Sequence, residues 1–324
     1  MEGNQMKKLL LALVYSMVTI VLLVGCSTQS SGTDYPKGPI EIYLPASPGG
    51  QTDASARVIA EHMEKYLGSK LVIINQNGGG GAIAFDTVKN ADPDGYKFLY
   101  YHQALHTANV TGQIEDDITA LTPVGTFSSV DNVLVVSADA PWNNLEEFVA
   151  DAKNKPGELV YGGQIGGTTH FMGAMLGQRA DIDIKILDVG NESDRLAALL
   201  GGQIHVATTS VGNAINYVES GDFKVIAALT DERSEMAPDF PTAKEQGYDI
   251  VFPITHTLYG PKDLPAEIIE AWNKATEELA KDQDYLDGLQ KTGQTHVLKN
   301  SKEAEEMSLT DLENIRELGE KLGF

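Results

Sequence analysis

"YLPASPGGQTDASAR", Tyr43–Arg57, changes its period in the middle. Upstream, Ile40, Ile42 and Leu44 alternate with Glu41 and Tyr43, which is the two-residue repeat of a strand. Downstream, Ala56, Ile59 or Ala60, Met63 and Leu67 recur every three to four residues, the repeat of a helix that stops at Gly68. Two prolines and two glycines form the joint between them. A helix that starts straight off a strand presents unpaired backbone N–H groups and about half a positive charge. Glycine lets a ligand close on that backbone.

The same joint recurs along the chain. "NQNGGGGAIAF" (Asn75–Phe85) and "YGGQIGGTTHFMGAM" (Tyr161–Met175) each follow a strand pattern and open a helix, as "ATTSVGNAI" (Ala207–Ile215) does more weakly. Strands are predicted at 40–44, 71–74, 98–101, 133–136, 159–161, 184–187, 204–208 and 225–229, several of them followed by helices, which predicts an α/β architecture with largely parallel sheets. In parallel sheets all these joints fall at the carboxyl ends of strands, where open α/β folds bind ligands. The last helix is expected to bury Leu309, Leu312, Ile315, Leu318 and Leu322.

Composition sets the compartment and excludes some partners. The 324 residues carry 24 basic and 46 acidic side chains, a formal charge of −22, so nucleic acid is excluded as a partner. Lys7 and Lys8 precede an uncharged run, Leu9–Gly25, shorter than the roughly 20 residues of a membrane span and closed by "LVGC". This reads as an export leader, residues 1–25. Cys26, the single cysteine, rules out a disulfide within one chain. Ser27–Gly38 is polar and reads as a tether.

Neutral helix-start donors suit a carboxylate as well as a phosphate. Thr52, Asp53, Thr168 and Thr169 can cap their helices, the threonine hydroxyls otherwise donating outward, and each joint taken alone is equally well a capped turn. Gly79–Ala84 fits a dinucleotide fingerprint by composition of a glycine run alone, and no phosphate loop or zinc helix accompanies it, so no cofactor and no metal are expected. Arg57 reads as a structural ion-pair partner. Tyr100 and Tyr101, beside His102 and Gln103, read as cleft lining.

"YLPASPGGQTDASARVIAEHM", "LVIINQNGGGGAIAFDTVKNADPDGYKFL", "YGGQIGGTTHFMGAML", "LAALLGGQIHVATTS", "FPTAKEQGYDI" and "YGPKDLPAEIIEAW" together resemble the extracytoplasmic solute receptors of tripartite tricarboxylate transporters, the Bug receptors. The resemblance covers about Tyr35–Phe324. It implies a two-domain, periplasmic-binding-protein-like α/β fold of type II character with the ligand cleft between domains. The first domain is expected at 39–139 and 256–324 and the second at 140–255, with crossovers near Ala138–Trp142 and Phe252–Gly260.

The implied function is capture of a small carboxylate solute, a di- or tricarboxylate or an aromatic acid, for delivery to large and small integral membrane subunits. "LVGC" resembles a lipobox, so Cys26 is implied to be lipidated and to anchor the chain, through its tether 26–38, to the outer face of the cell membrane. Binding residues are implied at Ser47, Gly49, Gly50, Gln51, Thr52 and Asp53 in the first loop, and at Gln76, Asn77 and Gly78 in the second, where Gln76 and Asn77 replace arginine and proline. His102 and Gln103 are added from the cleft reading, and Gly167, Thr168, Thr169 and His170 from the third loop. Asp188, Asn191, Thr209 and Ser210 stand where the family pattern differs and are expected to face the variable end of the solute. An exported α/β enzyme acting on an anionic substrate and a sensory solute receptor are the alternatives.

Overall fold

β1 (Ile40–Leu44) buries Ile40, Ile42 and Leu44 on one face, and α1 (Gln51–Leu67) packs Ala56, Ile59, Ala60, Met63 and Leu67 over them. Gly68 ends α1 in the left-handed conformation, at φ 73°. The period change at 43–57 is therefore a strand-to-helix joint in the computed structural model. That structure describes Tyr35–Phe324, which form one compact unit. The leader, Cys26 and the tether as far as Asp34 lie outside the described residues.

After α1 come β2 (Leu71–Asn75), α2 (Ala82–Lys89), β3 (Lys97–Tyr101), α3 (Ala104–Val110) and β4 (Leu121–Val130). The middle of the chain holds β5 (Asn132–Ser137), α4 (Leu145–Asn154), β6 (Val160–Gly163), α5 (Thr168–Ala180), β7 (Lys185–Asp188), α6 (Glu192–Leu200), β8 (Val206–Ser210), α7 (Val211–Glu219) and β9 (Phe223–Ala228). It closes with β10 (Ile254–Pro261), α8 (Ala266–Leu279), α9 (Gln283–Lys291), β11 (Thr295–Lys299) and α10 (Ser301–Leu322).

These strands form two sheets. One has the order β11-β4-β10-β3-β1-β2 and the other β7-β6-β8-β5-β9. The expectation of largely parallel sheets needs correcting, because both are mixed. β1 runs parallel to β2 and β3, and β6 parallel to β7 and β8, while β10, β4, β11, β5 and β9 pair antiparallel. The parallel pairs are the ones whose strands run into the glycine joints, so the carboxyl-end argument survives where it is needed.

The chain changes sheet at a single residue, Asp131, between β4 and β5. β5 is thus the first strand of the second sheet, and the sequence placement of this crossover at 138–142 comes a strand too late. The return falls between β9 and β10. Most of the expected second crossover, 252–260, is strand β10 itself. α10 begins with a capping box between Asn300 and Glu303, and it buries Leu312 in the first sheet's core but Ile315 and Leu318 in the core of the second. Leu309, expected inside, is exposed.

Candidate ligand-binding site

A cavity of about 280 Å³ lies where the two sheets face each other. Gln51, His102, Thr168, Thr169, Asn191, Thr209 and Ser210, all singled out from the sequence, line it together. Gln51 opens α1 and Thr168 opens α5, while Asn191 and Ser210 are the N-caps of α6 and α7. Four helix starts therefore converge on one space, each turning the positive end of its dipole toward it. Val130, Asn132 and Ile254 add the ends of both crossovers to the wall.

Local bonds fix what each group offers. The Gln164 N–H donates to Thr169 Oγ1 (2.9 Å), which leaves that hydroxyl's own proton to donate elsewhere. The Ala104 N–H donates to His102 Nδ1 (3.2 Å), so neutral His102 carries its proton on Nε2. Burial lowers the His102 pKa to about 4, and the ring is an uncharged donor at neutral pH.

Two charged residues in the wall were not anticipated. Glu192, first residue of α6, accepts through one oxygen from the Thr209 hydroxyl and from the Ser210 N–H (3.3 Å). The start of α7 is thereby occupied by a carboxylate of the protein itself. Arg195, one turn further along α6, is buried and donates from Nη1 to the Gly190 carbonyl (2.9 Å). Neither residue belongs to a glycine joint, so neither charge stood out in the sequence.

The remaining expected residues lie outside this wall. Asp53 is buried and accepts from the Gly49 N–H, from Arg57 Nε and Nη2, and from Asn75 Nδ2, all at 2.9 Å. These bonds, the one from Arg57 first, hold its pKa down at about 2. Asp53 therefore shapes the loop, and Arg57 is its ion-pair partner. Thr52 turns inward to His256 Nε2 (3.0 Å), whose Nδ1 meets Ser128 (3.2 Å), tying the first turn of α1 to β10 and β4.

Gly49 and Gly50 are exposed at the rim, and Gly49 takes φ +80°. Ser47 bonds Asn77 (2.8 Å) across the first two loops, Gln76 is partly buried behind them, and the glycine run from Gly78 to Gly81 has positive φ throughout. Gly167 is the N-cap position of α5, and His170 Nδ1 accepts the Gly166 N–H (3.2 Å). Asp188 is exposed, with Oδ1 3.4 Å from the Ile165 and Gly190 amides.

Gln103 turns to a different space. Its amide brackets Thr255, accepting from the backbone N–H (3.0 Å) and donating to Oγ1 (2.6 Å), and it also donates to Asp311 (2.8 Å). A cavity of about 440 Å³ lies on this side. Although larger, it is reached by a single helix start, that of α3 at Gln103, and the four starts that converge on the smaller cavity make the better anion site. Among the described residues no cluster of three or more His, Cys, Asp or Glu could hold a metal ion, and no helix is long and apolar enough to cross a membrane.

Comparison with known proteins agrees with this architecture. The profile of a family described as "Tripartite tricarboxylate transporter family receptor" matches residues 55–324. A Cupriavidus necator protein, "UPF0065 protein in gbd 5'region", is 27% identical over 305 residues, covering 93% of either chain. A TctC solute binding protein from Polaromonas superposes with a TM-score of 0.79 at 28% identity, covering 89% of this chain and 99% of that one. The fold is shared at 23% identity by R. palustris Rpa4515, solved with adipate, with a TM-score of 0.73 over 88% of this chain and 98% of that one. The chain belongs to the tripartite tricarboxylate transporter receptor family.

Proposed function

We propose that this chain is a lipid-anchored, extracytoplasmic receptor that captures a small carboxylate solute in the 280 Å³ cavity and hands it to the two membrane subunits of a tripartite transporter. One observation carries the reading: α1, from the first sheet, and α5, from the second, both start on that cavity with their first residues in its wall. A carboxylate between them accepts N–H and hydroxyl donors from both sides. Each such bond to a charged group contributes roughly 1.5 to 3 kcal/mol. Three or four reach micromolar binding, about −8 kcal/mol, after association costs.

The adipate held by Rpa4515 is a ligand of the same chemical class. Binding without turnover is favoured over catalysis because Thr169 and His170 each take a loop N–H instead of pairing as nucleophile and base. We assign Cys26 as the anchor, exposed on the outer face of the membrane.

A thermal-shift screen of the full-length chain in detergent, over mono-, di- and tricarboxylates and aromatic acids, tests the capture. At least one acid is expected to raise the melting temperature and to be recovered chemically unchanged. Conversion of the acid would favour an enzyme, and no shift by any acid would overturn the reading. Anchoring is checked separately: Cys26→Ser is expected to lose lipid labelling, and retained labelling would refute it.

A further inference from the structure

Arg195 is only 6% exposed, lines the cavity, and its Nε–H has no hydrogen-bond partner among the described residues. Nη1 is committed to the Gly190 carbonyl, which leaves the edge formed by Nε and Nη2, the two-pronged side of the guanidinium, without a carboxylate. Burying a cation in this way is costly unless something answers it. Glu192 stands one turn earlier on the same helix, in the same wall. Its two protein bonds fall on a single oxygen, and the other is left for a donor.

A plain anion satisfies Arg195 but meets Glu192, and a plain cation has the opposite conflict. A carbon bearing both an ammonium and a carboxylate answers the two side chains together. We propose that Arg195 and Glu192 form a subsite for an α-amino-carboxylate head, and that the solute is an amino dicarboxylate whose second carboxylate reaches the starts of α1 and α5. This rests on the carboxylate capture proposed above and narrows it to a chemical class.

The test is calorimetry on the full-length chain in detergent with matched pairs differing by one ammonium: succinate and aspartate, glutarate and glutamate, adipate and 2-aminoadipate. In at least one pair the amino form is expected to bind tenfold or more tightly than its partner. Glu192→Gln keeps an acceptor oxygen for Thr209 and Ser210, so the fold is retained, and it is expected to erase that preference. Arg195→Lys replaces the fork by a point charge and is expected to weaken both members of the pair about tenfold. Equal or stronger binding of the amino-free acids, or a preference unchanged in Glu192→Gln, overturns the subsite and leaves carboxylate capture standing. If no member of any pair binds while another carboxylate from the wider screen does, the subsite alone fails. If no carboxylate binds at all, both readings fail.

Discussion

Gly50 and Thr169 are the residues at which the anion site can be separated from its supporting turns. Gly50 has φ −75° and ψ 171°, extended backbone open to any residue, and a Cβ there would lie 3.4 Å from the Ser47 carbonyl, near ordinary contact. Gly50→Val is therefore expected to fold, as read by circular dichroism, yet to cover the start of α1. Calorimetry with the acid that binds best is expected to show a loss of more than about 2 kcal/mol. Thr169→Ala removes one hydroxyl that water can partly replace, and is expected to cost about 1 to 2 kcal/mol. Wild-type affinity in both variants would mean that the two loops are only capped turns. The sequence made these joints visible because a change of period around Pro, Gly, Ser and Thr has a specific backbone meaning. It gave no way to see that Asp53 spends its lone pairs on Gly49, Arg57 and Asn75, since a capping acid and a ligand-facing acid share one pattern.

At the scale of elements, the strands that escaped the sequence reading are β4, β10 and β11. β4, "LTPVGTFSSV", and β10, "ITHTLYGP", are buried on both faces, but with Thr126, Ser128, Ser129, Thr255, His256 and Thr257 among the buried positions. Their polar groups are satisfied across the sheet, as between Thr126 and Thr257 (2.8 Å), so no apolar alternation betrays them. The same effect hid the second crossover and the role of Gln103, which joins α3 to Thr255 in β10 and to Asp311 in α10. Burial raises the Asp311 pKa to about 6. Between roughly pH 4 and 6 the folded chain keeps this proton and the unfolded chain has lost it, so the group's contribution to stability falls as pH rises through that window. Asp311→Asn still offers an oxygen to Gln103 and is expected to be more stable than wild type at pH 7.5, on the order of 2 kcal/mol, with the gain vanishing near pH 4. Thermal denaturation at the two pH values measures it, and an equal or lower melting temperature at pH 7.5 contradicts it.

For the whole molecule the sign reverses, because His106 and His256 are buried in the first sheet's half of the fold and His102 is partly buried beside them. Burial takes His102 down to about 4, His106 to about 3, and His256 well below the usual value of 6.5. Each is neutral in the fold and charged in the unfolded chain, so the stability it contributes is present above pH 6.5 and is lost as pH falls below it. Asp311 opposes one of the three between pH 6 and 4. Asp131, raised by burial, also opposes them and His170, lowered by burial, adds to them, so with four lowered histidines against two raised carboxyls the net stability is expected to fall as pH drops from 7 to 5. Urea melts at pH 7, 6 and 5 are expected to show this loss, and a flat profile would mean that the histidines titrate normally.

A ligand held by both sheets also has a mechanical consequence. The chain passes between the sheets at Asp131 and again between Ala228 and Ile254, so we expect the two halves to move as rigid bodies about these crossovers. The two halves touch beside the Asp131 crossover, where the Val211 N–H donates to the Asp131 carbonyl (2.8 Å) and Gly212, in the first turn of α7, meets Gly293, in the turn before β11: a Cβ on Gly212 would lie 3.3 Å from the Gly293 Cα. Neither the spacing nor the composition of the chain pairs these two glycines, since they are brought together only by the tertiary fold. Gly212 is helical, so a side chain there strains no backbone and acts by wedging the two halves apart next to the crossover. Gly212→Leu is therefore expected to fold normally, to bind the solute about tenfold or more weakly, and to show no fall in radius of gyration on saturation. Wild type is expected to compact under the same conditions, because the solute stabilises the state in which both sets of helix starts reach it. Small-angle scattering with and without the solute decides between them, and compaction of the variant equal to that of wild type would show that the Gly212 contact does not limit closure.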